Sequence, residues 1–110
     1  MTPKELLTTV AGLRPHDYPE QVLLQWLDDL EGRIALEIHG AATPPRPAKT
    51  RMGLPLSVPA PYDRVYWTYL VAMLDLMEGA EAAYAASHAL YREAYEAYGR
   101  WVVRTGRGRA

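Results

Sequence analysis

VPAPYDRVYWTYLVAMLDLMEGAEAAYAASHALYREAYEAYGRW, residues 58–101, decides the fold. It holds all but one of the eight tyrosines and two of the three tryptophans. The spacing predicts two helices. Pro61 falls near the first turn of the earlier one, where a missing N–H costs nothing, and Asp63 sits close behind at the positive end of the dipole. Tyr62, Tyr66, Tyr69, Leu70, Met73 and Met77 recur at threes and fours and form one apolar stripe. Gly79 then marks a helix stop.

The later helix runs from about Ala80 to Arg104 and carries two stripes. Tyr84, His88, Tyr91, Tyr95, Tyr98 and Val102 make one, and Ala83, Ala86, Leu90, Ala94, Ala97 and Trp101 the other. Their centres lie about 100° apart, so the apolar arc exceeds what one neighbouring helix covers. Two readings stand. Either one stripe serves the protomer core and the other a second subunit, or both face the core. On the first, Tyr84, Tyr91, Tyr95, Tyr98 and Trp101 form a self-association surface, since tyrosine suits a contact that is apolar with polar tips. Phase is kept across Gly79, so periodicity alone also permits one helix of about 43 residues, or ~65 Å. Nothing else in the chain is long enough to cover that, and an antiparallel hairpin is the expectation.

Upstream, Thr2, Pro3 and Glu5 have the spacing of a capping box, opening a short helix to about Leu13 with Leu6, Leu7, Val10 and Leu13 inward. RPHDYP is a turn. A helix at about 19–38 follows, with Leu23, Trp26, Leu27, Leu30, Ile34 and Ile38 on one face. Gly32 inside it reflects either close packing or simple tolerance. Residues 40–60 hold Pro44, Pro45, Pro47, Pro55 and Pro59, which forbid a regular helix. Arg46, Lys49 and Arg51 make this segment basic and its candidate contact residues. With few large apolar side chains it reads as mobile in a free protomer, although LPLSV has the pattern of a short extended piece. The fold class is therefore all-α: a small bundle of about four helices, a long Pro-rich loop between the second and third, and a long C-terminal helix. Residues 1–104 form one domain and 105–110 a flexible Arg/Gly tail.

Net charge is −1, and no strong global field points to nucleic acid or to an anionic membrane. The absence of cysteine excludes a disulfide framework, thiolate metal sites and a cysteine nucleophile. No signal peptide and no membrane-length apolar run is visible. His16, His39 and His88 share no ligand spacing, and His88 reads as a packed histidine of the tyrosine stripe. Asp28, Asp29 and Glu31 read as a solvated face or as partners of Arg33. Asp75, set among apolar residues, reads as a buried anchor for an arginine or tyrosine. No nucleophile–base arrangement, metal set or cofactor motif emerges, so the expectation is not an enzyme, with no cofactor.

Three runs, YPEQVLLQWLDDLEGRIALEI, LSVPAPYDRVYWTYLVAMLDLMEG and ALYREAYEAYGRW, together resemble the small helical head–tail connector (adaptor, or neck) proteins of tailed bacteriophages. The W-L-x-x-L-x-G-R-I pattern falls on Trp26, Leu27, Leu30, Gly32, Arg33 and Ile34, and V-P-A-P-Y-D on Val58 to Asp63. The resemblance covers about two thirds of the chain; the Pro-rich segment and the arginine-rich end depart from it. It implies a structural virion protein that forms a homo-oligomeric ring, dodecameric in that family, beneath the portal at the capsid vertex. Such a ring extends the DNA channel without sequence-specific binding, and its partners are the portal and the next neck or stopper protein. Localisation would be the virion neck, and the host cytoplasm during assembly, with no membrane. The C-terminal end would dock on the portal through Arg104, Arg107 and Arg109, its glycines letting the backbone lie close. Two other classes remain: a small helical DNA-binding regulator, which the carboxylates of the second helix disfavour, and a helical protein-interaction module.

Overall fold

In the computed structural model, which describes residues 1–106, 68% of the described residues are helical and none lies in a strand. The all-α expectation holds, with four α-helices. Thr2 opens the first of them, α1 (Pro3–Leu13), by the capping box its spacing predicts. Its Oγ1 accepts from the Glu5 N–H at 3.1 Å, and Glu5 Oε1 accepts from the Thr2 N–H at 2.8 Å. Leu6 and Val10 are fully buried, but Leu13 at the last turn is 45% exposed, against the inward placement its spacing predicts.

The second helix begins as predicted and ends differently. α2 (Glu20–Arg33) buries Leu23, Trp26, Leu27 and Leu30. It continues without a break into a π-helical turn, Ile34–Ile38, closed by the His39 N–H donating to the Ile34 carbonyl at 2.9 Å. A wider turn re-aims the side chains that follow it. Ile38 Cδ1 thereby reaches Gly99 of the last helix, and His39 reaches Tyr98.

α3 (Arg64–Met77) is the most buried element. Val65, Tyr66, Thr68, Leu70, Val71, Ala72, Leu74 and Asp75 are all buried. That arc is wider than the stripe seen in the sequence, because α1, α2 and α4 (Glu81–Thr105) all pack on α3. Met77, placed on the inner stripe by its spacing, is exposed. Pro61 falls before the helix, in the turn that leads to Asp63, and the Ala60–Pro61 peptide is cis. α3 and α4 form the antiparallel hairpin. Tyr62 lies 5.2 Å from Trp101 at one end, while Ser87 donates to Asp75 at the other. Gly79 makes the reversal, with φ +70, a conformation in which a Cβ is strained. α4 runs to Thr105, one residue beyond the expected stop, and Gly106 caps it at φ 70.

The Pro-rich segment departs most from its reading. It contains a single 3₁₀ turn, Ala48–Thr50, yet Ala48, Leu56 and Val58 are buried in the main core. The Leu56 N–H donates to the Met1 carbonyl at 2.8 Å, and the Lys4 N–H to the Met52 carbonyl at 3.2 Å. Contrary to the mobile reading, the segment is packed against both α1 and α2.

Candidate functional site

Two clusters gather polar side chains from distant parts of the chain. The first is centred on Glu31, in the middle of α2. Leu27, Leu30 and Ile34 carry this face of the helix into the core, and Glu31 goes in with them, 1% exposed. The solvated-face reading of this residue is therefore overturned. A buried carboxylate is tolerated only where its lone pairs are used. Tyr66 Oη donates to Glu31 Oε1 at 2.6 Å, Ser57 Oγ to the same oxygen at 2.8 Å, and Arg51 Nη2 to Oε2 at 3.3 Å. Tyr66 Oη in turn accepts from the Val58 N–H at 2.9 Å. The tyrosine hydroxyl is held far above its ordinary titration range, first by burial and then by the neighbouring negative charge. Nearby, Asp28 Oδ1 accepts from the Ala48 N–H at 2.8 Å. Two carboxylates of α2 thus fasten the Pro-rich segment.

The second cluster lies along α4. Tyr91 and Tyr98 are 4% and 2% exposed, so they belong to the protomer core. For these two residues the packing favours the reading in which the stripe faces the core over a self-association surface. Arg33 Nη1 donates to Tyr91 Oη at 3.1 Å, and the guanidinium lies 5.2 Å from the Tyr95 ring centroid. Tyr95 Oη donates to Glu37 in a very short bond, which holds the Glu37 carboxyl below its ordinary range. His39 Nε2 and Tyr98 Oη are 2.7 Å apart, and burial pushes the His39 imidazole down. Tyr84, Tyr95 and Trp101 are half-buried; Tyr84 packs on His88 at 5.2 Å and Trp101 on Tyr62. At the other end of the hairpin, Arg14 Nε donates to Asp75 Oδ1 at 2.9 Å, the buried anchor the sequence indicates.

The remaining candidate residues separate. Arg46 and Lys49 are exposed, whereas Arg51 turns inward to Glu31 and also donates to the Arg46 carbonyl at 2.8 Å. Arg104 is exposed on the last turn of α4; Arg107 and Arg109 lie outside the described residues. Every buried side-chain nitrogen or oxygen among the described residues has a hydrogen-bond partner. No group of His, Asp and Glu able to hold a metal occurs among them, and none of their helices is long and apolar enough to cross a membrane.

Sequence reasoning missed Glu31 as the centre of the polar cluster. The signal was present: in the register set by Leu23, Leu27, Leu30 and Ile34, position 31 lies on the buried arc. Among the described residues, Leu13, Leu36, Leu54, Leu76, Met77, Leu90 and Val103 are large apolar side chains left exposed. Compared with known protein families, with curated proteins and with solved structures, the chain finds no match in any of the three.

Proposed function

We propose that this chain is an architectural subunit, a head–tail connector of a tailed bacteriophage that assembles as a ring beneath the portal and lengthens the DNA channel. The observation that carries this reading is the meeting of the two connector-like runs around one buried side chain. The W-L-x-x-L-x-G-R-I run places Glu31 in the core, and the V-P-A-P-Y-D run begins at Val58, whose N–H donates to the Tyr66 hydroxyl that in turn donates to Glu31. The runs that carry the resemblance are thus parts of one scaffold, a four-helix bundle strapped by its Pro-rich segment.

The polar groups support the same reading. Glu31, Asp75, Tyr66 and Tyr98 are spent on internal contacts, leaving an outer surface of scattered apolar side chains and charges. That suits a protein whose work is contact rather than chemistry, with no cofactor. The partners are the portal, further copies of the chain and the next neck protein. Arg104, exposed on the last turn of α4, is the described residue of the proposed docking end. The test is addition of the purified chain to portal-bearing capsids that lack their connector. Co-sedimentation with the capsids and an added ring below the portal in electron micrographs are expected. Failure of the chain to bind such capsids at any concentration would reject this function.

A further inference from the structure

A groove of about 510 Å³ runs along the C-terminal half of α4. Tyr95, Gly99 and Val103 line it at four-residue spacing, and Glu96, Arg100 and Arg104 line it one residue further on. Its surface is mostly apolar, and Arg100 and Arg104 make no ion pair among the described residues. The carboxylates beside it are already used. Glu96 pairs with Arg92, and Glu37, which accepts from Tyr95, pairs with Arg33, each at 3.6 Å. The groove is therefore apolar with a positive edge.

Gly99 sits in the middle of this groove and in the interior of a 25-residue helix, where glycine is less stable than alanine. A Cβ built on it meets only Ile38 Cδ1, at 3.9 Å, an ordinary contact. Packing within the protomer therefore does not require the glycine. What the missing side chain provides is depth, at the centre of an apolar surface that the protomer leaves open.

The opposite features meet at the α3–α4 turn. Leu76 and Met77 are 48% and 54% exposed, and Glu78 and Glu81 are exposed within the same run, 76–81. Asp17 lines a cavity together with Glu78 and adds a third carboxylate. None of the three makes an ion pair among the described residues, and Arg14, the cation that precedes the α1–α2 turn, is engaged by Asp75 at 2.9 Å. The turn is therefore an apolar knob with a negative edge. It cannot fill the groove of its own chain, because Glu81 and Gly99 lie about 27 Å apart on one continuous helix.

We infer that the groove along Tyr95, Gly99 and Val103 receives the α3–α4 turn of a second copy of this chain, Leu76 and Met77 entering over Gly99 while Glu78 and Glu81 meet Arg100 and Arg104. Methionine, unbranched and flexible, suits entry into such a groove. The inference rests on the proposed self-assembling role and names the surfaces that perform it. The contact joins two different surfaces, so every pair keeps one free turn and one free groove, and it propagates into a closed ring or a filament. Its charged edge makes it sensitive to salt.

The experiment uses the full chain and three variants: Glu78→Lys with Glu81→Lys at the turn, Arg100→Glu with Arg104→Glu at the groove, and Gly99→Gln within it. The four charged positions are exposed, and helical circular dichroism verifies each fold. Sedimentation of the natural chain near millimolar concentration in low salt should show species larger than a monomer that dissociate as salt rises. Each charge-reversed form alone should associate about tenfold more weakly or worse, because like charges then face each other. An equimolar mixture of the two should recover the association, since each turn then finds a groove of opposite charge. Gly99→Gln should keep or raise the melting temperature, glutamine being the better helix former, yet associate about tenfold more weakly because its side chain occupies the groove. Association of any variant alone at the natural strength, or a mixture no larger than its components, would overturn these surfaces while leaving ring assembly through other faces open. A natural chain that stays monomeric throughout would also overturn them and leave the groove to a different protein, and capsid binding would then decide the architectural role separately.

Discussion

The α3–α4 hairpin and the Pro-rich segment are held to the same core by different means. The hairpin uses periodic side chains: Leu70, Leu74, Tyr91, Ala94, Tyr98 and Val102 recur at helical spacing and bury continuous faces. The segment has no period. It is held by Ala48, Leu56 and Val58 in the core and by two carboxylates of α2, Glu31 and Asp28, which accept from its side chains and backbone. Burial by pattern tolerates a lost atom at many positions, whereas burial around a polar centre concentrates the cost at one residue.

The largest effect should come from the hairpin, and it is the sharpest test of which stripe is core. Tyr91→Glu with Tyr98→Glu places two carboxylates at fully packed sites with no cation positioned for both. The cost should exceed about 4 kcal/mol and unfold the chain, read as loss of the helical circular dichroism signal. A helical, soluble double variant that merely fails to self-associate would restore the tyrosine stripe as an interface and break the comparison.

Next comes the segment's anchor. Glu31→Ala leaves Tyr66, Ser57 and Arg51 without their acceptor and should cost about 3–5 kcal/mol. Glu31→Gln keeps an acceptor oxygen but loses the charge facing Arg51, and should cost less. In the natural chain trypsin should spare Arg51, which is turned inward, and cut first at the exposed Lys49, since Pro47 protects the bond after Arg46. In Glu31→Gln, Arg51 should become a cleavage site while hydrogen exchange in α3 and α4 stays slow. Equal loosening of the hairpin would show that the two regions are one cooperative unit.

A smaller effect separates them by pH. Burial and the Glu31 charge raise the Tyr66 pKa in the folded state, so the folded chain holds that proton more tightly than the unfolded one. Its stabilising contribution is complete below about pH 10 and is lost progressively as the pH rises above that value. Tyr66→Phe should cost about 1–3 kcal/mol at neutral pH and flatten the alkaline decline. His39 runs the other way. Its pKa is depressed by burial, so its contribution is present above about pH 6.5 and is lost as the pH falls. His39→Gln should flatten the acid limb of the same melting series, and an unchanged limb would remove His39 from the account.

What was legible in the sequence follows the same division. Period, caps and breakers predicted the helices and the capping box at Thr2, because each is a local property of a few residues, whereas the reversal at Gly79 was expected only because nothing in the chain could cover one continuous helix. The face of α2 was legible for the same reason. Which stripe of α4 met the protomer was not, since that depends on what lies beside it: α3 covers Tyr91 and Tyr98, while the π-helical turn, invisible to a 3.6-residue period, sends His39 and Ile38 to the same helix. The packed Pro-rich segment was hidden because its anchors are a few aperiodic apolar residues and two carboxylates twenty or more positions away. The tail residues Arg107 and Arg109 lie outside the described residues and stay with the functional proposal.

The smallest expected change concerns Gly32, where stability and function can be told apart. It sits inside α2, half-buried, in the run that resembles connector proteins. A Cβ built there meets nothing within 4 Å, so the protomer does not need the glycine for close packing. Its backbone is helical, and glycine in a helix interior costs about 0.5–1 kcal/mol relative to alanine through the extra freedom of the unfolded chain. Gly32→Ala should therefore stabilise the chain by about that amount, read as a rise of a few degrees in the melting temperature. A lowered melting temperature would mean that the methyl group meets an obstacle the protomer packing does not show. If the variant is more stable but binds connector-free capsids less well, Gly32 is kept for a neighbour's close approach in the proposed ring. If both stability and binding rise, the glycine is tolerated rather than used, and its place in the W-L-x-x-L-x-G-R-I run says nothing about the interface.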